Sequence, residues 1–334
     1  MSNVTNRIIS DVDDGIRIDK WFHQHYPALS HGHLQKMLRK GQVRLDGGRV
    51  KANHRVQAGQ DVRVPPMPTP DTAPKKKPSH QQKITDADIA FIQSLVIHRD
   101  QHVIVINKPA GLAVQGGTGT HRHVDGLLAA LVGKNEERPR LVHRIDKDTS
   151  GILVLATNTN AARKLTAAFK SKEARKLYWA AVVGVPSPPT GRIDIALSKA
   201  PVGDSSRGRE QMVPDEDGGK RSITYYETLE RAGQQIAWVA FYPVTGRTHQ
   251  LRVHAMAIGH PIVGDGKYGG EEAFPLIDGL DRQAHLHSRA IQIPHPAGGK
   301  LEVSAPLPAH MVKTWRAIGF LEKDHDGIVD WPDM

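Results

Sequence analysis

Residues 140–156 read RLVHRIDKDTSGILVLA, a polar loop that runs directly into an apolar segment. The run Ile152–Ala156 has the length of a buried strand, so the polar part that carries Asp146 is expected to lie against a sheet. Two interpretations stay open: the loop is a functional site, or it is a surface turn in which Asp146 and Asp148 pair with neighbouring Lys and Arg. A protein-kinase catalytic loop is a poor match, because the order H-R-D-L-x-x-x-N is missing.

Apolar runs of strand length recur along the chain on both sides of this stretch and alternate with helical patterns. One helical pattern starts at Thr159, and another covers residues 248–258 and ends before Gly259. This alternation predicts an α+β or α/β fold with many strands. The predicted strands include Val103–Ile106, Ile152–Ala156, Tyr178–Val183 and Ile236–Tyr242.

A second polar segment, residues 245–254, reads TGRTHQLRVH and leads into the second of these helices. Arg247 precedes the predicted helix start, so its guanidinium is free to reach across to a carboxylate, and a pairing between this arginine and an aspartate is expected. His249 and His254 are five positions apart and do not share a helical face. No metal site is therefore expected from these histidines.

The overall charge favours a polyanionic partner. The chain has 334 residues, with 45 Lys and Arg against 35 Asp and Glu, a formal charge of +10 and a pI near 9.7. RNA, DNA and an anionic membrane surface all fit this excess. There is no cysteine, which excludes disulfides, thiolate zinc sites and thiol nucleophiles and fits a cytoplasmic location. The apolar runs are strand-sized and the N-terminus lacks an apolar region, so neither secretion nor membrane spanning is expected.

Much of the positive charge precedes a segment typical of linkers. Residues 67–88, MPTPDTAPKKKPSHQQKITDAD, have no hydrophobic period, so we predict a flexible linker there, a small α/β domain over 16–66 and a large domain over 89–325. Residues 16–66 contain ten Lys or Arg and three Asp, a net charge of +7. Their pattern predicts a helix that buries Leu34, Met37 and Leu38 and stops at Gly41, followed by a hairpin. The basic side chains expected to project from this unit are Lys36, Arg39, Lys40, Arg44, Arg49, Lys51 and Arg55.

The polar motifs together resemble those of the RluA/RluC/RluD family of pseudouridine synthases. The resemblance rests on HRIDKDTSG followed by ILVLA, on TGRTHQLRVH and on GHPIVGD at 259–265, and it covers about residues 96–308. It implies an α+β fold whose mixed, mainly antiparallel sheet carries an RNA cleft across its middle. Residues 16–66 are similar to the S-four-like, or αL, RNA-binding module, in which the helix and hairpin dock on the RNA backbone. The alternative for this basic unit is a solvated face without a ligand.

The resemblance also implies roles for individual residues. Asp146 is the expected nucleophile, Tyr178 the ring that packs on the flipped uracil and a candidate acceptor of the C5 proton, and Arg247 the ion-pair partner of Asp146. Arg144 is expected to enter the helix space that the flipped base leaves, and Lys108 to line the cleft unless it only supports a turn. Two departures are visible: Gln115 stands where many members have His, and His31-Gly32-His33 follows Ser30 where the RNA-binding module usually has Arg.

The implied activity is the cofactor-free isomerisation of uridine in structured RNA, with the target base flipped out of the helix. The carboxylate attacks the base at C6 or assists at the sugar, and the sequence does not choose between these routes. The chain looks most like the RluC-type branch, which implies 23S ribosomal RNA, although another ribosomal position or tRNA also fits. A non-catalytic ribosome assembly factor and a hydrolase using Asp146 and His143 are the alternatives from other classes. A monomer is the default expectation.

Overall fold

The computed structural model describes residues 4–66, 84–117, 120, 122–133, 136–200 and 211–322. The chain divides into two units, residues 1–82 and 83–334. None of the helices in these described ranges is long and apolar enough to cross a membrane.

The first unit combines two helices with a small antiparallel sheet. Its elements are β1 (Thr5–Ile8), a 3-10 turn (Asp11–Asp13), α1 (Ile18–His25), α2 (His31–Arg39), β2 (Arg44–Leu45), β3 (Gly48–Arg49) and β4 (Asp61–Val64). The strands lie in the order β1-β4-β2-β3. Trp21 and Phe22 of α1, Leu38 of α2 and Val62 of β4 pack in one core, which explains why both helices are amphipathic.

The basic helix of the first unit forms as its sequence predicts. The Ser30 hydroxyl accepts a hydrogen bond from the backbone N–H of His33 (3.3 Å) and so caps the start of α2. Gly41 adopts a left-handed φ of 66° just after the helix, a conformation that favours glycine. The predicted stripe is buried, and all seven basic side chains predicted to project are exposed; the stripe consists of Leu34, Met37 and Leu38.

The second unit is built on one large sheet. Its helices are α3 (Asp86–Ser94), α4 (Val124–Leu127), α5 (Thr159–Ser171), α6 (Gln250–Ala257) and α7 (Ala309–Ile318), with a 3-10 helix at Leu128–Leu131. Its strands are β5 (Val96–Arg99), β6 (Val103–Lys108), β7 (Arg140–Leu141), β8 (Ser150–Ala156), β9 (Arg175–Val183), β10 (Thr190–Lys199), β11 (Met212–Pro214), β12 (Lys220–Ala232), β13 (Ile236–Pro243), β14 (Leu286–Pro294) and β15 (Lys300–Ser304).

The strand order is β11-β10-β12-β13-β9-β14-β8-β6-β5, with β15 beside β14 and β7 beside β8. The pairing is antiparallel except between β8 and β14, which run parallel where His287 faces Ser150. The expectation of a mixed, mainly antiparallel sheet in an α+β fold is confirmed. All four apolar runs predicted as strands are strands, as β6, β8, β9 and β13.

Strand β8 shows why its run is continuously apolar. Side chains alternate between the two faces of a strand, and both faces of β8 are covered. Ile152 and Val154 pack in a core with α5, whereas Leu153 and Leu155 pack in a second core with α3 and α4. The strand is therefore fixed from both sides, and the loop before it has a rigid base.

The domain limits differ from the sequence interpretation in two places. The first unit begins before residue 16, because β1 pairs with β4 along Thr5 to Ile8; this strand is short and exposed, so it lacks the alternation that predicts strands. The helix α3 begins at Asp86, inside the predicted linker, because the Thr85 hydroxyl and the Asp88 carboxylate form a capping box. Residues 67–83 of that linker and residues 323–325 at the predicted domain end lie outside the described ranges.

Candidate active site

A cavity of about 780 Å³ opens in the second unit where the two polar segments singled out in the sequence meet. Asp146 and Arg144 line it from the loop before β8, and Arg247 lines it from the loop before α6. Tyr178 of β9 and Leu286 of β14 contribute the sheet side of the cavity. Four of the residues proposed from the sequence are thus brought to one site, which the spacing along the chain does not reveal: Arg144, Asp146, Tyr178 and Arg247.

The Asp146 loop is held in place by a buried lysine. Lys108 is completely buried, and its Nζ donates to the carbonyl oxygens of Pro109 (2.8 Å), Leu112 (2.9 Å) and Lys147 (3.0 Å). The backbone N–H of Gly111 also donates to the Lys147 carbonyl (2.8 Å). These bonds tie the turn after β6 to the residue next to Asp146.

The predicted role of Lys108 in contacting substrate is therefore wrong. An ammonium has three donors, and all three of those on Lys108 are used by backbone carbonyls away from solvent. Burial lowers the pKa of Lys108 to about 7, although the negative charges of Asp148 and Asp146 oppose this shift. Lys108 supports the loop and does not line the cleft.

Strand β8 starts at a close approach of two backbones. Gly151 has a left-handed φ of 103°, and a Cβ atom there would lie 2.3 Å from the carbonyl oxygen of Ser288 on β14. Glycine is needed because any side chain would force the strands apart. The Gly that ends the HRIDKDTSG motif thus sets where the Asp146 loop leaves the sheet.

The surroundings of Asp146 shift the pKa of its carboxyl in both directions. Burial raises the pKa of Asp146 above its ordinary value, and the charge of Asp148 adds to the rise. The Arg252 guanidinium, a hydrogen bond from the backbone N–H of His249 and the Lys108 ammonium all lower the pKa. Asp146 is consequently a carboxylate whose charge depends on the start of α6.

The cation that most lowers the pKa of Asp146 is Arg252, and not Arg247. Arg252 is buried in the first turn of α6, with Nε 2.7 Å and Nη2 2.5 Å from the two carboxylate oxygens of Asp265. Its Nη1 lies 3.8 Å from Asp148, and its guanidinium lies over the Tyr268 ring at 5.1 Å. This bidentate, stacked arrangement is specific to arginine.

The predicted ion pair between Arg247 and Asp146 is absent from the described structure. Arg247 is exposed at the cavity, and its Nε donates weakly to the Arg221 carbonyl (3.4 Å). Its backbone N–H donates to the Gln250 side chain (3.0 Å), so the residue belongs to the loop before the helix. The helix starts at Gln250 and not at Thr248, and a side chain of the first turn points back towards the helix N-terminus. That geometry aims Arg252 at the Asp146 loop.

The start of α6 is rigidly built. His249 has a left-handed φ of 54°, which is unusual for a residue with a side chain, and its Nδ1 lies 2.6 Å from the Tyr268 hydroxyl. Gln250 donates to the Ile223 carbonyl and the Thr224 hydroxyl (3.0 Å each), and His254 bonds the hydroxyls of Ser222 and Thr224 (2.9 Å each). Much of TGRTHQLRVH therefore fastens α6 to β12 and presents the His249 N–H to Asp146.

Sequence reasoning missed Arg252, Asp265, Tyr268 and the backbone of His249. One signal was available: Asp265 follows the apolar pair Ile262-Val263, and a carboxylate that is buried with such a segment needs a cationic partner. Choosing that partner among several arginines requires the fold.

Tyr178 lies across the sheet from the loop. It faces Ser288 on β14 and Phe241 on β13 in the strand register. Burial raises the pKa of Tyr178 to about 12, and the charge of Asp146 adds to the rise. The phenol is therefore neutral at physiological pH, and it is close enough to Asp146 for the two side chains to interact electrostatically.

His143 has no acid–base function in this arrangement. The backbone N–H of Val154 donates to its Nε2 (2.8 Å), and its ring stacks on Phe169 with centroids 4.3 Å apart. Burial lowers the pKa of His143 to about 3. A hydrolase that pairs Asp146 with a proton-accepting His143 is not supported by this geometry.

Arg144 and Gln115, both singled out in the sequence, lie next to each other at the cavity. Arg144 is exposed at the cavity, and its Nη1 lies 3.3 Å from the side-chain oxygen of Gln115, which stands at the departure from the family pattern. Among the residues that the structure describes, no cluster of His, Asp or Glu could hold a metal ion.

Two protein-family profiles match this chain. The RNA pseudouridylate synthase family profile matches residues 102–257, and the S4 domain profile matches residues 16–62. The chain is similar to a protein from Vibrio cholerae named ribosomal large subunit pseudouridine synthase C, with 36% identity over 312 residues, 90% of this chain and 93% of that protein. A protein of the same name from Rickettsia typhi is 35% identical over 92% of this chain and 99% of its own length.

Two solved structures are also similar to this chain. The structure of human RNA pseudouridylate synthase domain containing 4 matches with a TM-score of 0.56 and 27% identity, over 70% of this chain and 97% of that one. The structure of human RNA pseudouridylate synthase domain containing 1 matches with a TM-score of 0.52 and 30% identity, over 64% of this chain and 83% of that one.

Proposed function

The chain belongs to the RNA pseudouridylate synthase family, and we propose that it isomerises uridine in large-subunit ribosomal RNA with Asp146 as the nucleophile. The observation that carries the assignment of Asp146 is its position on the cavity wall, where it accepts the His249 backbone N–H and interacts with Arg252. It is the one carboxylate among the described residues that line this cavity.

The isomerisation breaks the bond between N1 of the uracil and C1′ of the ribose and forms a bond between C5 and C1′. A proton leaves C5 and N1 gains one, so the reaction needs no oxidant or reductant. A carboxylate serves such a reaction as a nucleophile, because it stabilises a detached or covalently held fragment while the base turns. Attack at C6 and assistance at C1′ both start from an ionised Asp146.

Arg252 is the residue we assign to keep Asp146 ionised. RNA in the cavity removes further water from Asp146 and brings phosphates close, and both changes favour the neutral acid. Arg252 carries a permanent charge and is held by Asp265 in one orientation, so it opposes these changes without moving. Arg247, exposed at the rim, is assigned to contact RNA.

Tyr178 is assigned to pack on the flipped uracil as a neutral phenol. With a pKa of about 12 it has no tendency to act as a base in the resting site. It can accept the C5 proton only if its own hydroxyl proton leaves at the same time, so packing is the role its environment favours. The cavity of about 780 Å³ falls within the roughly 300–1,000 Å³ range of ligand sites and can admit a nucleotide.

The remaining assignments concern the RNA outside the cavity. Flipping a base costs a few kcal/mol, and Arg144 at the rim is placed to enter the stack that the base leaves. The exposed cations of the first unit are assigned to the RNA backbone, where they add affinity without selecting the nucleotide. We further propose that the protein acts in the cytoplasm as a monomer.

The proposal is tested by measuring tritium release from RNA that carries uridine labelled at C5. Large-subunit ribosomal RNA transcribed without modifications should release tritium, total tRNA should not, and Asp146→Asn should abolish the release. Release from tRNA but not from ribosomal RNA would overturn the substrate assignment. Binding without release from either RNA would identify a non-catalytic RNA-binding factor.

A further inference from the structure

One wall of the cavity is strongly cationic. Three lysines line it from the end of α5 and the start of β9, and we call Lys170, Lys172 and Lys176 the lysine wall. Among the described residues around the cavity, six side chains are cationic and one is a carboxylate. The cations are Arg144, Lys147, Lys170, Lys172, Lys176 and Arg247.

Lys176 differs from the other two lysines because the fold partly buries it. Lys170 and Lys172 are exposed, whereas Lys176 lies within β9, where it pairs with Ile291 of β14. It is two residues before Tyr178, and both line the cavity while Leu177 between them packs in the core. Side chains two apart on a strand share a face, so Lys176 and Tyr178 face the same space about 6.6 Å apart along the strand.

No carboxylate in the described part of the chain forms an ion pair with Lys176. Among the described residues it makes no side-chain hydrogen bond and no ion pair within 4.0 Å. Burial lowers its pKa to about 8, with no carboxylate opposing the shift. His143, the nearby titratable ring, is neutral and offers no negative charge.

An unpaired ammonium in such a place lowers the stability of the fold, since it has given up water without gaining a partner. Lys108, a buried lysine with a supporting role, differs in this respect, because its ammonium donates hydrogen bonds to three carbonyl oxygens. Lys176 has no such acceptors among the residues that the structure describes, and it faces the cavity. Its missing partner is therefore expected to arrive with the substrate.

We propose that Lys176, with Lys170 and Lys172, forms a subsite for a backbone phosphate adjacent to the flipped uridine. Uracil is neutral, whereas the phosphodiester is the anionic part of RNA and suits the point charge of a lysine. Lys176 is the other residue of β9 that lines the cavity, so it is the residue of that strand available to a phosphate of a nucleotide whose base lies on Tyr178. This inference rests on the proposed function and extends it to how the target nucleotide is held.

The test compares Lys176→Met, Lys176→Arg and Lys300→Met in single-turnover tritium release from ribosomal RNA at several salt concentrations. Lys300 is an exposed residue of β15 outside the cavity lining and controls for the loss of one surface charge. For Lys176→Met we expect the RNA concentration at half-maximal rate to rise about tenfold, which corresponds to about 1.4 kcal/mol of lost binding free energy. The maximal rate should change by less than about threefold, and the salt slope of binding should fall by about one.

Lys176→Arg should have the half-saturating RNA concentration and the salt slope of the wild type, because it keeps the positive charge. The proposal is overturned if Lys176→Met matches Lys300→Met in both quantities. It is equally overturned if Lys176→Met lowers the melting temperature and the maximal rate but leaves the salt slope unchanged, since that outcome describes a structural lysine. If the wild-type protein releases no tritium from any RNA, the proposed function fails instead, and the salt slopes of RNA binding by the same three variants still decide the role of Lys176.

Discussion

The two units of this protein use positive charge in opposite ways. In the first unit, seven basic side chains around α2 and its hairpin are exposed. In the second unit, Lys108 and Arg252 are buried and each is held by several oxygen atoms. The exposed cations are free to meet RNA phosphates, whereas the buried cations hold the protein's own loop and carboxylates.

This contrast predicts different consequences of substitution. An exposed cation contributes to RNA affinity through its charge, and salt screens this contribution. The contributions of neighbouring exposed cations add together. A buried cation contributes through a defined geometry, and its removal leaves oxygen atoms without a partner. Losses in the first unit should therefore appear in RNA affinity, and losses around Asp146 should appear in the rate and in stability.

The largest effect is expected from Asp146→Asn. It should lower the single-turnover rate by at least about a thousandfold, as removal of a nucleophile does. The same variant should be more stable than the wild type at pH 8, because burial raises the pKa of Asp146 and the charged form is the costly one. Since a raised carboxyl pKa destabilises the fold above that pKa, the stability gain should shrink as the pH falls through it.

Thermal melts across pH 4 to 8 measure this gain, and tritium release measures the rate. A variant that loses activity but is less stable than the wild type at pH 8 would contradict the electrostatic account of the site.

The next largest effects distinguish the roles of Arg252 and Arg247. Arg252→Met leaves Asp265 buried without its partner and should cost roughly 3–5 kcal/mol of stability, together with most of the activity. Arg252→Lys keeps the charge but loses the bidentate bond, so it should fold and have a reduced maximal rate. The matched variant Arg247→Met should change stability by less than about 0.5 kcal/mol and act on RNA affinity.

Urea denaturation and single-turnover kinetics on these three variants check the assignment. If Arg247→Met lost the maximal rate and Arg252→Lys kept it, Arg247 would be the partner of Asp146 after all.

A smaller effect is expected from Lys108→Met. It leaves three carbonyls without their donor and should cost about 1–3 kcal/mol, with little change in RNA affinity. Burial lowers the pKa of Lys108 to about 7, so its charged form is disfavoured in the folded protein. Between pH 7 and about 10.5 the unfolded chain binds one proton more, and this residue should make the wild type more stable as the pH rises.

The variant should lack that part of the rise, which denaturation at pH 7, 8.5 and 10 measures. A loss of RNA affinity with a reduced salt slope would instead restore Lys108 to the substrate-contacting residues.

The smallest effect on the chemistry is expected in the first unit. The triple variant Lys36→Ala, Arg39→Ala, Lys40→Ala should weaken RNA binding and reduce its salt slope by about two to three, at roughly 0.7–0.9 per lost phosphate contact. The maximal single-turnover rate and the melting temperature should stay close to the wild-type values. An unchanged slope would mean that this face is only solvated, the other interpretation of its charge.

Several features of the fold and of the active site could be predicted from the sequence, and their physical basis is local. The run Ile152–Ala156 predicts a strand, and the polar residues before it predict the loop that carries Asp146. The stripe Leu34, Met37 and Leu38 predicts which face of α2 is buried. These predictions hold because periodicity and charge act between residues that are near one another in the chain.

The helix α6 shows where local reasoning stops. Its apolar pattern predicts a helix from 248 to 258, and the observed helix covers Gln250–Ala257. The difference of two residues matters, because it puts Arg252 in the first turn of the helix, whereas the predicted start would have placed it in the second turn. The left-handed backbone of His249, fixed by Tyr268, sets this start, and that contact is between residues 19 positions apart.

By itself, the sequence determined four strands of the large sheet, the helices around α2, α5 and α6, the basic charge of the first unit and the loop with Asp146, because those follow from short-range patterns of apolar and charged side chains. Tertiary structure alone decided that Arg252 and not Arg247 supports Asp146, that Lys108 is a buried support, and that Lys176 faces the cavity without a partner among the described residues. The reason is physical: the effect of a buried charge depends on the distance and orientation of its partners, and these are set only when distant segments pack.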